Sequence, residues 1–217
     1  HRDLHSFPTR RSSDLKKIFN RLRRFNRVVI YLSLSDIFSW GSFTIISILS
    51  GIYLSEKLGT DILKFLGIGT SIYFFTRALF QIPIGLITDK FKHDKDEILI
   101  LFIGVLLMGL PFIFYPYITS EYHYYILQFI FGLGVSLNVT NWRKLFALNV
   151  DGGKEGIQYG IYDLLVSICT AIVSIIAGSI ANMGDIYFDT VISLAGVFIM
   201  LGDRKSTRLN SSHGKLS

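Results

Sequence analysis

The side chains with chemical potential are the few charged ones set in long apolar stretches. Asp36 falls in LSLSDIFSW, Arg77 in YFFTRALFQ and Asp163 in GIYDLLVS. A charge in an apolar helix is costly, and it usually marks a solute path, a proton relay or a pair that staples helices. At 1.5 Å per residue, Asp36 stands about 12 Å and Arg77 about 15 Å from the ends of their stretches that share one side. The matched depths predict an Asp36–Arg77 pair facing the interior of a helix bundle. Asp163, about 9 Å into its stretch by the same rise, and Asp189, at the start of another, read as hydrated residues near a mouth.

The elements that carry these charges are long and apolar. Hydrophobic residues make up 50% of the 217. Apolar runs recur at about 28–54, 63–87, 98–118, 124–142, 157–181 and 186–202. Each approaches or exceeds the roughly 20 residues that cross a bilayer core as a helix. Backbone groups in lipid must be satisfied within the segment, so helices and not open strands are required. The expected fold is all-α, a polytopic membrane bundle of six transmembrane helices.

Loop charge orients it. With the N-terminus inside, twelve Lys and Arg residues between Lys16 and Lys154 lie on the cytoplasmic side, against Lys57 and Lys64 outside. That asymmetry in short loops predicts a multi-pass protein of the cell (inner or plasma) membrane with a cytoplasmic N-terminus. Five tyrosines between Tyr115 and Tyr125 cluster at the predicted outer loop, as an interfacial aromatic belt would. Trp40, Asn138, Asn141 and Trp142 could contact solute or bond between helices. Cys169 is the only cysteine, so no disulfide forms within the chain, and neither metal site nor cofactor is expected.

The two ends read differently. Residues 1–15, HRDLHSFPTRRSSDL, and 203–213, DRKSTRLNSSH, are what DNA adaptors ligated for short-read sequencing would encode; GAT CGG AAG AGC, for example, gives Asp203 to Ser206. Residues 1–15 and 203–217 are therefore set aside as non-native. They carry net +1 and +3, so residues 16–202 keep only +2 of the formal +6. A nucleic-acid partner suggested by the pI of about 9.4 loses its support. The last stretch stops at Gly202 because the adaptor begins there, so the chain is expected to be truncated.

Gly85-Leu86-Ile87-Thr88-Asp89-Lys90 joins the second apolar stretch to a charged loop. It resembles the signature loop between helices two and three of the major facilitator superfamily: Gly, three residues, Asp, then a basic residue. Lys92 stands where a second Gly is usual and His93 where a basic residue is usual, with Lys95 as a trailing cation. Gln128 to Gly134 is similar to the family's fourth-helix pattern, with Gly132 and Gly134 as close-packing positions. Gln128 replaces the Arg associated there with proton coupling, and the fifth stretch lacks the Gly-Pro of drug–proton antiporters. The inner loop between the fourth and fifth stretches, Trp142 to Phe146 and Asp151 to Gly156, is also similar to bacterial members.

The resemblance implies the N-terminal six-helix half of a twelve-helix secondary transporter that moves a small solute by alternating access. Its partners would be the bilayer, a solute of unread identity with coupling to protons or ions left open, and the missing C-terminal half, without which it should not transport. Asp89 and Lys90 would latch the two halves, a carboxylate near a helix N-terminus gaining some tenths to about 1 kcal/mol. Asp36, Arg77, Gln128 and Asp163 are the candidate solute or coupling residues, and no catalytic residue is expected. The alternatives are a polytopic membrane enzyme, with His93-Asp94-Lys95-Asp96-Glu97 as its dense polar loop, and a membrane scaffold that does not transport.

Overall fold

A computed structural model describes residues 27–59, 62–90, 94–183 and 187–202. The adaptor-like ends, the N-terminal basic residues up to Arg24, and Lys92 and His93 lie outside the described residues. Six α-helices and one short 3-10 turn occupy the described residues: α1 Arg27–Leu58, α2 Ile62–Thr88, α3 Asp94–Ile113, the turn Tyr115–Tyr117, α4 Glu121–Asn149, α5 Glu155–Asn182 and α6 Phe188–Gly202. The fold is all-α, with six helices of a polytopic membrane bundle.

Three helices are long and apolar enough along their length to cross a bilayer by composition alone, within α1, α2 and α5. The apolar parts of α3 and α6 are shorter, Ile98–Ile113 and Phe188–Leu201. α4 is long but more polar, and its position explains why. It buries Ser136, Asn138 and Asn141 beside Phe131, Val135 and Phe146, so those polar groups face protein and not lipid. α5 is the opposite case: it is strongly apolar and hardly buried, with Leu164, Ile168, Ile172 and Ile175 all exposed on its surface.

α3 stops at Ile113, short of the stretch expected to run to 118. Pro111 and Pro116 flank the break; neither can donate a backbone N–H, and the chain turns through a 3-10 segment with Pro at its first positions. Pro83 lies within α2 without ending it, the helix running on to Thr88.

The packing has a repeated pattern. α1 packs on α5 and α6, and α4 packs correspondingly on α2 and α3; α3 meets α6, and α1 meets α4. Exchanging the first three helices for the last three reproduces these pairings, the pattern of nested three-helix repeats, and α1 additionally touches α2. Phe43 of α1 and Phe131 of α4 stack at 5.2 Å near the centre, with Phe112 of α3 and Tyr73 of α2 each 5.2 Å from Phe131.

Glycines let the backbones close in. A Cβ on Gly134 would lie 2.7 Å from the Leu107 carbonyl carbon and the Met108 nitrogen of α3, and one on Gly132 would lie 2.8 Å from the Tyr73 oxygen of α2. A Cβ on Gly109 of α3 would come within 2.4 Å of the Gly196 oxygen of α6. In lipid, where apolar burial gives no driving force between helices, such close approach is a main source of association. Gly109→Val should therefore force α3 and α6 apart and cost about 1–3 kcal/mol. Gly67→Ala, with nothing within 4 Å of the added atom, should be silent. Thermal denaturation in detergent checks the pair: a lowered Tm for the first variant and an unchanged one for the second.

Candidate functional site

Asp36 sits where three helices meet, and only 4% of its surface is exposed. Its carboxylate accepts a hydrogen bond from the Tyr162 hydroxyl of α5, and the Trp40 side chain and the Arg143 charge also act on it. Tyr162 is itself held by packing. Its ring lies 4.7 Å from that of Trp142 and 5.5 Å from that of Phe146, both on α4. Trp142 donates its indole N–H to the Leu32 carbonyl of α1 at 3.1 Å. One turn before Asp36, the Ser33 hydroxyl donates to the Val29 carbonyl at 2.8 Å, satisfying itself within α1. The acid is thus pinned by a phenol whose own position is set by two aromatic neighbours.

Arg77 lies mid-way along α2, about 17 Å from Thr88 at 1.5 Å per residue. Its guanidinium donates to the Tyr73 hydroxyl at 3.2 Å, and its backbone carbonyl accepts from the Ser136 hydroxyl of α4 at 3.3 Å. No ion pair joins Asp36 to Arg77; each has its own tyrosine. Equal depth sets two residues at one height but says nothing of direction around a helix. α1 turns Asp36 toward α5, whereas α2 packs on α4.

The other expected residues scatter. Gln128 donates to the Tyr115 hydroxyl at 3.5 Å, at the far end of the bundle from Asp36. There Tyr53 donates to Asp189, Lys57 stands 3.6 Å from the same carboxylate, and Lys57 donates to the Pro116 carbonyl at 2.5 Å. Asp189, expected to be merely hydrated, thereby ties α1 to α6. Asp163 is exposed on α5, next to Tyr162. Asn141 bonds back to the Leu137 carbonyl of its own helix at 2.7 Å. The side-chain oxygens of Asn138, Thr140 and Asn141 are buried without a hydrogen-bond partner among the described residues.

The loop after α2 has a different construction from the one its residues suggested. Asp89 follows the C-terminus of α2, where the helix dipole is negative and disfavours a carboxylate. Lys144 of α4 resolves the conflict: its ammonium donates to the Thr88 carbonyl at 2.8 Å and stands 3.6 Å from Asp89. A cation at that end completes the orphan carbonyls and offsets the dipole. The Gly85 carbonyl accepts from the Asp89 N–H at 2.9 Å and the Thr88 hydroxyl at 3.1 Å. A Cβ at Gly85 would meet only Thr140, at 3.7 Å, so close packing does not demand glycine there. Lys90 closes the turn on the Ile87 carbonyl at 3.1 Å.

The loop from α4 to α5 is equally ordered. Gln158, buried on the first turn of α5, receives the Asp151 N–H at 3.2 Å and donates to the Asp151 carboxylate at 3.0 Å. Backbone N–H groups, that of Gly153 at 3.0 Å among them, hold the Glu155 carboxyl below its usual range.

Tyr162, Tyr73 and Lys144 were not singled out in the sequence as partners. A usable signal existed for Tyr162: it lies about 11 Å into α5, close to the depth of Asp36. Phenols, and not charges alone, are therefore candidates to meet a buried acid. Among the described residues no group of three or more His, Cys, Asp or Glu could hold a metal.

A family model described as Major Facilitator Superfamily matches residues 32–215. The match runs from within α1 through α6 and on over residues 203–215, a stretch that overlaps the one expected to be adaptor-derived. No curated protein and no solved structure gave a match to the chain.

Two substitutions separate the buried from the exposed contacts. Tyr162→Phe leaves Asp36 short of a donor in an apolar setting and should cost about 1–3 kcal/mol. Asp89→Asn removes only the ion pair with Lys144, whose Asp89 side chain is 73% exposed, and should cost no more than about 1 kcal/mol. Thermal denaturation of the purified protein should show the first loss as plainly larger.

Proposed function

Because the chain belongs to the major facilitator superfamily, a family of membrane transporters and not of enzymes, we propose that it supplies the N-terminal half of a secondary active carrier. In this reading six helices build one wall of a central path, and a second six-helix half, encoded beyond Gly202, builds the other. A small solute binds between them and the halves rock about it, exposing the site to each side in turn. The carrier lies in the cell membrane with its N-terminus in the cytoplasm, a placement supported by the Lys and Arg asymmetry of the loops.

One observation carries the reading: two ionisable side chains stand deep within the helices, and neither neutralises the other. Asp36 is bonded to Tyr162 and Arg77 to Tyr73. A purely structural role would favour a direct ion pair, whose two charges cancel. Phenols instead hold each ionisable group in place without an opposite charge to cancel it, which suits groups that meet a solute or a coupling ion in turn. The Lys144–Asp89–Thr88 brace, in this account, fixes the cytoplasmic ends of α2 and α4 as one side of a gate, with Gly85 and Lys90 shaping the turn.

Residues 16–202 are, in the same reading, the native part. Resequencing the gene from source DNA should show a frame that departs from this chain before Lys16 and after Gly202. Persistence of HRDLHSFPTRRSSDL in the genome would defeat the adaptor account. The carrier itself is tested with the full-length protein in proteoliposomes. Solute counterflow should fall about tenfold or more in Asp36→Asn while Gly67→Ala transports as the unaltered protein does; undiminished flux in Asp36→Asn would remove Asp36 from the transport path.

A further inference from the structure

Resting on the carrier reading above, the geometry points to Arg77 as the docking group for an anionic solute, one carrying a carboxylate or a phosphate-type oxyanion. Four observations converge on it. The guanidinium has five N–H donors, and a single bond, to the Tyr73 hydroxyl, engages it. Among the described residues no carboxylate pairs with it, and the one acid buried within the helices, Asp36, is taken by Tyr162. A cation at mid-depth with only a neutral partner is left to be compensated from outside this half, because a lone charge in an apolar bundle is costly.

The second observation is direction. Phe75 and Leu79 help line an apolar groove of about 800 Å³ along α2. At 100° per residue Arg77 projects about 160° round the helix from Phe75. The guanidinium therefore turns away from that apolar face.

The third is rigidity. Tyr73 is buried, its ring 5.2 Å from Phe131 and 4.6 Å from Phe74. Gly132 lies against its backbone, and Ser136 bonds the Arg77 carbonyl. The Arg77 backbone and the phenol that steers its guanidinium are both held against α4, so that part of the site is set before an anion arrives.

The fourth is exposure with reach: Arg77 is half-buried and thus open to a ligand on one side. Its planar fork matches a carboxylate or phosphate in two parallel bonds, which an ammonium would not. The depth, far from either helix end, argues against a lipid headgroup as the occupant.

The test uses the full-length carrier purified in detergent. Lactate, succinate and inorganic phosphate are titrated while Tm is followed, with glucose, lysine hydrochloride and matched potassium chloride as comparators. At least one anion should raise Tm saturably. Arg77→Gln should weaken its apparent Kd roughly ten- to a hundredfold, as expected for loss of a charge-assisted bond. Arg77→Lys should recover part of that loss. Tyr73→Phe keeps charge and packing, should weaken binding a few-fold, and carries the test if Arg77→Gln does not fold.

Stabilisation by none of the three anions beyond potassium chloride would overturn the inference, as would equal stabilisation of wild type and Arg77→Gln. The second outcome would indicate that an acid from elsewhere in the protein occupies the guanidinium. Counterflow distinguishes this from failure of the carrier reading. A protein that moves only cations or neutral solutes, undiminished in Arg77→Gln, keeps the carrier and loses the anion site. A protein that moves no solute loses both.

Discussion

Lipid offers a helix no hydrogen-bond donor or acceptor and no apolar reward for hiding its side chains, and this governs how the six helices divide their work. Polar side chains at membrane depth gain from a partner on a neighbouring helix or on their own backbone, although the oxygens of Asn138, Thr140 and Asn141 stay buried without one among the described residues. α1, with Ser33, Ser35, Asp36, Ser39 and Ser42, and α4, with Ser136, Asn138 and Asn141, bury most of the polar side chains, and each of these helices packs on two others and touches its counterpart. α5, strongly apolar beyond Asp163, can face lipid along most of its length. The bundle is ordered by where polarity can be satisfied.

The same constraint explains the choice of tyrosine beside each deep charge. Tyr162 and Tyr73 present an aromatic body that packs like any apolar residue and one hydroxyl that reaches a charge. Trp142 and Phe146 hold the first ring, and Phe131 and Phe74 the second. Removing the hydroxyl leaves the packing intact and the charge exposed to apolar surroundings, which makes these phenols more consequential than their neutral character suggests. At the helix ends, where water returns, ordinary ion pairs take over, as Lys144 with Asp89 and Lys57 with Asp189 illustrate.

Close approach between backbones sets where these partners can meet. Gly132 and Gly134 are two residues apart on α4 and face different neighbours, α2 and α3. Gly109 and Gly196 make the corresponding contact between α3 and α6. With side chains absent at these points, helix axes come near enough for Ser136 to reach the carbonyl of Arg77.

The class of protein was legible in the chain alone. Six apolar stretches require helices in a bilayer because no other backbone arrangement satisfies its own polar groups. Gly85, Asp89 and Lys90, with Gly132 and Gly134, carried the family resemblance that the match over residues 32–215 bears out. The depths of Asp36 and Arg77 were also readable, since rise per residue is fixed. Direction, meaning which neighbour each face meets, came only with the packed bundle. Depth along a helix is a local property of the chain. Azimuth is not, because it depends on which helices pack together and where glycines let them approach. Thus Asp36 found Tyr162 and not Arg77, and Asp89 met Lys144 at a helix C-terminus and not the dipole of an N-terminus.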